Sequence, residues 1–392
     1  MLESITRKQK HYFLNQKKFR HYDWELRQWV QILNKKSILS ISGLKYSWTT
    51  ELAREIVIKT SMWDSFFYFN PHVDTYWTIQ NDKSLILLMD YSIRTWNDIK
   101  IVILEDCNTI GWIKKFILDL YKSKNFKIII LWNNIKIDWV DEIQIKPLSL
   151  NWVSQSKYIY WWLPHVRVMP DKNFKQVLLD TIICSIIDKE VSIPYNVKNT
   201  QNFRKVLSYL AGTQERLSLR EIHRHLEEHK IHISLITLIE YINIALTTKI
   251  LYKLEEYDFK KKQIIHTRVL YHFSDIWIRS SLSSYDSQCF SNIISNELAL
   301  RWYTLYSWKN GTFVLDIYAI KWDTSIGVHY SDSEDKNTIR KLARKLSKVP
   351  SLQKHYIIIQ SKEKLAMRKF FENGVEICEL HEFIESLSLK IM

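Results

Sequence analysis

The residues best placed to do chemistry lie between Ile41 and Leu52, where the chain reads Ser42-Gly43-Leu44-Lys45-Tyr46-Ser47-Trp48-Thr49-Thr50. A loop that cradles phosphates between a strand and a helix has the spacing GxxxxGK[ST]. Its glycines let backbone N–H groups close on the phosphates, its lysine neutralises the outer ones, and its hydroxyl binds Mg²⁺. Gly43 and Thr50 meet that spacing, whereas Trp48 stands in the second glycine position and Thr49 in that of the lysine. Gly43, Lys45, Ser47, Trp48, Thr49 and Thr50 are therefore expected to line a site for ATP, with Thr50 also a ligand to Mg²⁺. A neutral threonine cannot offset triphosphate charge, so weak binding with little or no hydrolysis is the expected outcome. Lys45, inside the loop, is the candidate to replace the missing cation.

Such a site needs a carboxylate facing the loop. The apolar run Lys100-Ile-Val-Ile-Leu104 ends in Glu105-Asp106, in the inverse of the usual Asp-Glu order. Glu105 is expected to hold the metal, and Asp106 to polarise the attacking water, from a parallel strand neighbouring the loop. A solvated strand end is the plainer alternative for the same pair.

These groups need a scaffold. Ser37–Ile41 reads as a strand and is followed by a helix with Leu52, Ala53, Ile56 and Val57 on one face; further apolar strands follow at Phe66–Phe69, Lys100–Leu104 and Lys127–Leu131. Alternating buried strands and helices of this length imply a parallel sheet covered on both faces, an α/β fold of the P-loop NTPase kind. Beyond Pro170 the pattern turns helical, over 174–187 and 201–211. Residues 217–273 then read as two helices, a tight turn and a hairpin, the signature of a winged helix-turn-helix. The last hundred residues form a small α/β unit. The expected domains are 1–165, 166–285 and 286–392.

Composition narrows the class. With 46% apolar and 25% charged residues the chain should fold. Its net charge of +14 makes DNA a plausible partner through phosphate contacts, with solubility as the alternative use of the charge. A non-catalytic DNA-binding or regulatory protein that keeps the P-loop fold as a scaffold is thus a second reading. Four cysteines without a CxxC pair indicate neither a zinc site nor a disulfide framework. No apolar run reaches the roughly 20 residues of a membrane span. A cytoplasmic location is expected, and oligomerisation is left open. His223, His225, His229 and His232 cluster and invite a metal reading, but without a cysteine or carboxylate partner they are expected to be solvated.

Taken together, these segments resemble the bacterial and archaeal AAA-type ATP-binding proteins that carry a C-terminal domain of unknown function with a restriction-endonuclease-like fold. The resemblance runs over about residues 15–390. It rests on the loop around Gly43 and Thr50, on Ile103-Leu-Glu-Asp-Cys-Asn108, on Ile128-Ile-Ile-Leu-Trp-Asn133, and on Pro147-Leu148-Ser149. It implies a winged-helix region ending near Asp275-Ile-Trp277. It also implies a last domain in which Asp316 matches a nuclease-type carboxylate, while Gly327-Val328-His329 lacks the second carboxylate and the lysine. Nuclease activity is not expected.

The resemblance also places tryptophan at six glycine positions: Trp48, Trp132, Trp161, Trp162, Trp277 and Trp302. The chain has 6 glycines against 16 tryptophans, where ordinary composition would give about 7% glycine. Some of these codons are expected to be UGA, read as glycine in the source. TGG at those codons would exclude that, leaving a tryptophan-rich bias.

Overall fold

The structure is a computed structural model. It describes residues 7–8, 10–11, 13–14, 23–43, 49–60, 65–71, 82–96, 99–107, 110–132, 140, 142–144, 172–213, 215–259, 261–283, 290–310, 313–333, 335–349, 352–359, 370–372 and 374–388. The chain divides into two compact units, Met1–Ile145 with Ile193–Asn196, and Lys146–Ser192 with Val197–Met392.

In the first unit the elements run α1 (Asp23–Lys36), β1 (Ile38–Ser42), α2 (Thr49–Lys59), β2 (Phe66–Phe69), α3 (Asp82–Trp96), β3 (Ile101–Glu105), α4 (Ile113–Ser123), β4 (Lys127–Leu131) and β5 (Glu142–Gln144). The five strands are all parallel, in the order β2-β3-β4-β1-β5. Parallel neighbours need crossovers, and helices laid on the faces bury the strands on both sides. That is why β1, β2 and β3 are buried at every position and read as largely apolar runs, broken only by Ser40 and Ser42 in β1 and by Glu105 at the end of β3. One expectation needs correcting: β3 does not neighbour β1, because β4 lies between them.

The second unit contains α5 (Lys172–Ile186), a π-helical turn (Ile187–Ser192), α6 (Thr200–Gly212), α7 (Leu219–Glu228), α8 (Leu235–Thr247), β6 (Leu251–Asp258), β7 (Gln263–Phe273), α9 (Ile276–Leu282), α10 (Phe290–Leu300), β8 (Thr304–Asn310), β9 (Phe313–Lys321), β10 (Thr324–Ser331), α11 (Lys336–Leu346), β11 (Lys354–Ile359), β12 (Phe370–Glu372), β13 (Val375–Glu379) and α12 (Leu380–Ser388). Its sheet has eight strands in the order β12-β13-β11-β10-β9-β8-β6-β7. Alternation along β11 sorts its two faces. Tyr356 and Ile358 pack with Ile294 and Leu298 of α10 and Phe383 and Ile384 of α12. Ile357 and Ile359 pack with Ile339, Ala343 and Leu346 of α11. The domain boundary expected at 285/286 falls inside this unit, since one sheet spans it.

The tryptophans expected at glycine positions fare differently. Trp302 has φ +67 just beyond α10; the Tyr303 N–H reaches the Leu298 carbonyl at 3.1 Å and the Trp302 N–H that of Ala299 at 3.1 Å. This is a Schellman ending with tryptophan in the left-handed place that glycine usually takes. Trp322, not among the six, has φ +49 in the two-residue turn between β9 and β10, also a glycine-favouring place. Trp277 by contrast is helical, and its indole is accommodated at 1% exposure. Trp132 is half-buried against the first unit's core. Trp48, Trp161 and Trp162 lie outside the described residues.

A left-handed L-residue costs about 1–2 kcal/mol, and the greater freedom of glycine in the unfolded chain takes back about 0.4–1 of that. Trp302→Gly is therefore expected to stabilise the protein by about 0.5–1 kcal/mol. Trp302→Ala keeps the Cβ and should bring no such gain. Urea midpoints of the two variants check this, and equal midpoints would exclude backbone strain as the cause.

Candidate functional site

The first unit's candidate site sits at the C-terminal end of its central strands, the end at which ligands bind in open α/β sheets. In register, Ile41 of β1 and Glu105 of β3 both pair with Leu131 of β4, so the three residues lie level across the sheet. Chain leaving β1 at Gly43 returns as α2, whose buried face of Leu52, Ala53, Ile56 and Val57 fixes it to the sheet. The first turn of α2 carries Thr49 and Thr50, at the helix end where N–H groups point outward and attract anions.

Thr50 and Glu105 meet there. The Thr50 hydroxyl donates to Glu105 Oε1 at 2.5 Å, over the end of the intervening β4. The other carboxylate oxygen accepts from the Tyr68 hydroxyl on β2. Glu105 is only 7% exposed. Burial, followed by the adjacent Asp106, pushes its carboxyl up to about 7, while hydrogen bonds from Thr50, Tyr68 and Asn70 pull the other way. A buried carboxylate resisting ionisation despite three donors is short of positive charge. A hydroxyl and a carboxylate are hard oxygen ligands of the type Mg²⁺ takes, so the residues present fit that ion.

Asp106 follows in the left-handed region, with φ +53, and its N–H donates to the Leu131 carbonyl at 3.2 Å. That bend turns the chain away at the end of β3; Asp tolerates it better than most residues. Behind it Cys107 is buried, its Sγ donating to the Glu105 carbonyl at 3.2 Å, and burial lifts its thiol well above the usual range. Of the expected site residues, Gly43, Thr49, Thr50, Glu105 and Asp106 are described, and Lys45, Ser47 and Trp48 lie outside the described residues. Sequence reasoning missed Tyr68 and Asn70. Their signal was a strand, Phe66–Phe69, ending in polar groups beside the acidic strand.

In the second unit, α7, α8 and the β6–β7 hairpin occupy the residues read as two helices and a hairpin. Ser218 and Glu221 form a capping box at the start of α7. Helix α8, in the place of a reading helix, has the sequence LITLIEYINIALT with no cation, and exposes Ile236 at 79%. Phosphate and base contacts draw chiefly on Arg and Lys, so this helix offers little to DNA. Three of the four clustered histidines have protein partners: His223 Nε2 with the Ile233 carbonyl at 2.8 Å, His225 Nδ1 with the Tyr209 hydroxyl at 2.6 Å, and His229 Nδ1 with the His225 carbonyl at 2.7 Å.

Asp316 lies in a cleft of about 310 Å³ with Arg216, Glu256, Arg268 and Lys309. Its Oδ2 lies 3.0 Å from His329 Nδ1 and accepts from the Tyr330 N–H at 2.8 Å. Burial pulls the His329 imidazolium down, but Asp316 outweighs it and the net shift is upward. A Cβ at Gly327 would overlap Leu352, so a carboxylate there would have to displace that side chain. Among the described residues no group of three or more His, Cys, Asp or Glu side chains could hold a metal. No helix among them is long and apolar enough to cross a membrane.

No protein-family profile matches the chain. An uncharacterised protein of Haemophilus influenzae is 26% identical over 218 residues, 50% of this chain and 54% of that protein, so the chain spans about half the length of the relative it matches. Among solved structures, a Walker-type ATPase of Pyrococcus abyssi aligns over 69% of this chain and 99% of its own, at 11% identity and a TM-score of 0.40. A STAND signal-transduction ATPase of Pyrococcus horikoshii covers 72% of this chain and 45% of its own, at 11% identity and 0.21. The Drosophila origin recognition complex bound to DNA and Cdc6 covers 71% and 92%, at 11% and 0.21. The order β2-β3-β4-β1-β5, with α2 the next element after β1 and an acidic end to β3, gives the first unit a five-stranded parallel α/β sheet that matches the P-loop NTPase fold.

Proposed function

We propose that the first unit binds a nucleoside triphosphate, ATP by preference, together with Mg²⁺, and hydrolyses it weakly or not at all. One observation carries the reading: Thr50 Oγ1 and Glu105 Oε1 stand 2.5 Å apart, although β4 separates β3 from β1, the strand that leads into the helix of Thr50. Thr50 and Glu105 would hold the ion, which when bound supplies positive charge to the phosphates. The N–H groups opening α2 would receive phosphate oxygens. Asp106, on the bend after Glu105, is the group that would orient a water. Thr49 brings no charge to the phosphates, which is why turnover is expected to be poor.

The test is thermal. A ligand bound only by the native state stabilises it by RT ln(1 + [L]/Kd), about 2.7 kcal/mol at a hundredfold excess over Kd. ATP with Mg²⁺ should raise the melting temperature, and Thr50→Val should abolish the Mg²⁺-dependent part of that rise. No shift at millimolar ATP and Mg²⁺ would end the proposal.

A further inference from the structure

We infer that the outer face of α11 is a docking surface for the phosphate backbone of double-stranded DNA. It belongs to the second unit and does not depend on the nucleotide reading. From Lys336 to Val349 the sequence holds Lys336, Arg340, Lys341, Arg344, Lys345 and Lys348 and no carboxylate. All of these cations are exposed. Asp335, just before them, is engaged in capping the helix, its carboxylate accepting from the Asn337 and Thr338 N–H groups at 3.2 and 2.9 Å.

Helical geometry arranges the charges. At 3.6 residues per turn, Lys336 and Arg340 fall on one flank, Lys341 and Lys345 on the other, and Arg344 and Lys348 between them. The cations fan over roughly half the helix circumference and, from Lys336 to Lys345, extend about 14 Å along it. The opposite side is occupied, because Ile339, Ala343 and Leu346 are buried in the core beneath. Favourable interaction with the helix dipole accounts only for Arg344 and Lys345 in the last turn; Lys336 in the first turn is placed against it.

A second set of cations shares this face of the sheet. Tyr257 and Phe259 pack on the same core cluster as α11, pinning there the end of the β6–β7 hairpin, whose Lys261 and Lys262 are exposed. The physical choice among polyanions follows. A membrane surface would call for an apolar stripe to insert, and the apolar stripe of α11 is already buried in protein. A single strand would call for exposed aromatic platforms, and α11 carries no aromatic residue. Cations on both flanks of one rigid helix suit two phosphate ridges at fixed separation. The roughly 12 Å major groove of B-DNA admits a helix, whereas the deep, narrow groove of A-form RNA does not. Six cations and no carboxylate on this face make phosphate contacts, which carry no sequence information, the main source of affinity.

The full chain is titrated by fluorescence anisotropy against a labelled 20-base-pair duplex of arbitrary sequence between about 50 and 300 mM KCl, a range in which phosphate contacts dominate the salt response. Each phosphate contact adds about 0.9 to the slope of log affinity against log salt. The R340Q/K341Q/R344Q/K345Q variant should lose about 2–3.6 of that slope. The charge-keeping variant R340K/K341R/R344K/K345R should lose none. An unchanged slope in the glutamine variant overturns the inference. So does equal or tighter binding of the native chain to phosphatidylserine vesicles, to polyglutamate, or to duplex RNA. Matching circular-dichroism melts of the two variants show that both are folded.

Discussion

Thr49→Lys is expected to raise the affinity for ATP with Mg²⁺ by about two- to a hundredfold. Thr49 opens α2 and immediately precedes Thr50, whose hydroxyl reaches Glu105. A lysine there would stand where the β- and γ-phosphates are cradled. A charged hydrogen bond contributes about 1.5–3 kcal/mol, whereas a cation set against the positive end of a helix costs about 0.3–1 kcal/mol in the free protein. The first effect exceeds the second, and the difference spans the stated range. Titration calorimetry of the native chain and the variant measures it. An affinity that does not rise would mean that phosphates do not meet this helix end, and the nucleotide reading would go with it.

The second large effect concerns acid. His272 and Asp275, three residues apart, are both buried in the second unit, at 3% and 7% exposure. Burial, with Arg279 adding to it, pulls the His272 imidazolium down to about 3. Burial lifts the Asp275 carboxyl to about 8, although the Trp277 N–H donates to it at the start of α9. The signs are opposite. A depressed histidine contributes stability present above its unfolded value of about 6.5, and that contribution drains away as pH falls from there toward 3. A raised carboxyl contributes stability present below its unfolded value of about 3.9, and this is lost as pH climbs toward 8.

Between pH 6.5 and 4 the two changes offset, at about 1.4 kcal/mol per pH unit each. Asp275→Asn should therefore lose about 3 kcal/mol of stability over that interval relative to the native chain, and His272→Asn should gain about as much. Denaturant melts of all three proteins at pH 6.5 and 4 decide it. Parallel pH profiles would show that neither group is held away from its ordinary ionisation.

The strands that carry the candidate site were legible because a strand buried on both faces is written mostly in apolar residues. Ile101–Leu104 and Ile128–Leu131 are such runs, and the change to the buried Glu105 marks the end of β3 that carries the candidate site. Strand order was less legible. Nothing in Lys127–Leu131 states that it inserts between β1 and β3, since that is decided by how the crossovers pack. The part of Tyr68 was hidden for a related reason, because its side chain reaches Glu105 only once β2 lies beside β3. The bounds of β8 were not legible, beyond a strand expected after Trp302. Its sequence, TLYSWKN, breaks alternation at Ser307, where the pairing with β9 shifts register. The two helices of the second unit were plain from Ser218 and Ser234, each a hydroxyl placed to cap the helix behind it. What α8 could do was less plain than that it exists: a helix position suggests a groove, yet the residues on α8 lack the charge, and the cations sit on α11.

The hairpin of β6 and β7 joins the rest of its sheet through two residue pairs, Glu255 with Tyr306 and Glu256 with Ser307. Severing the chain between 285 and 286 would strip β8 of that partner and leave its outer rim of N–H and C=O groups bare, an invitation to pair with other molecules. Neither fragment would be a self-sufficient piece. Halves expressed apart should clump, and a soluble product would have to keep residues on both sides of that position together.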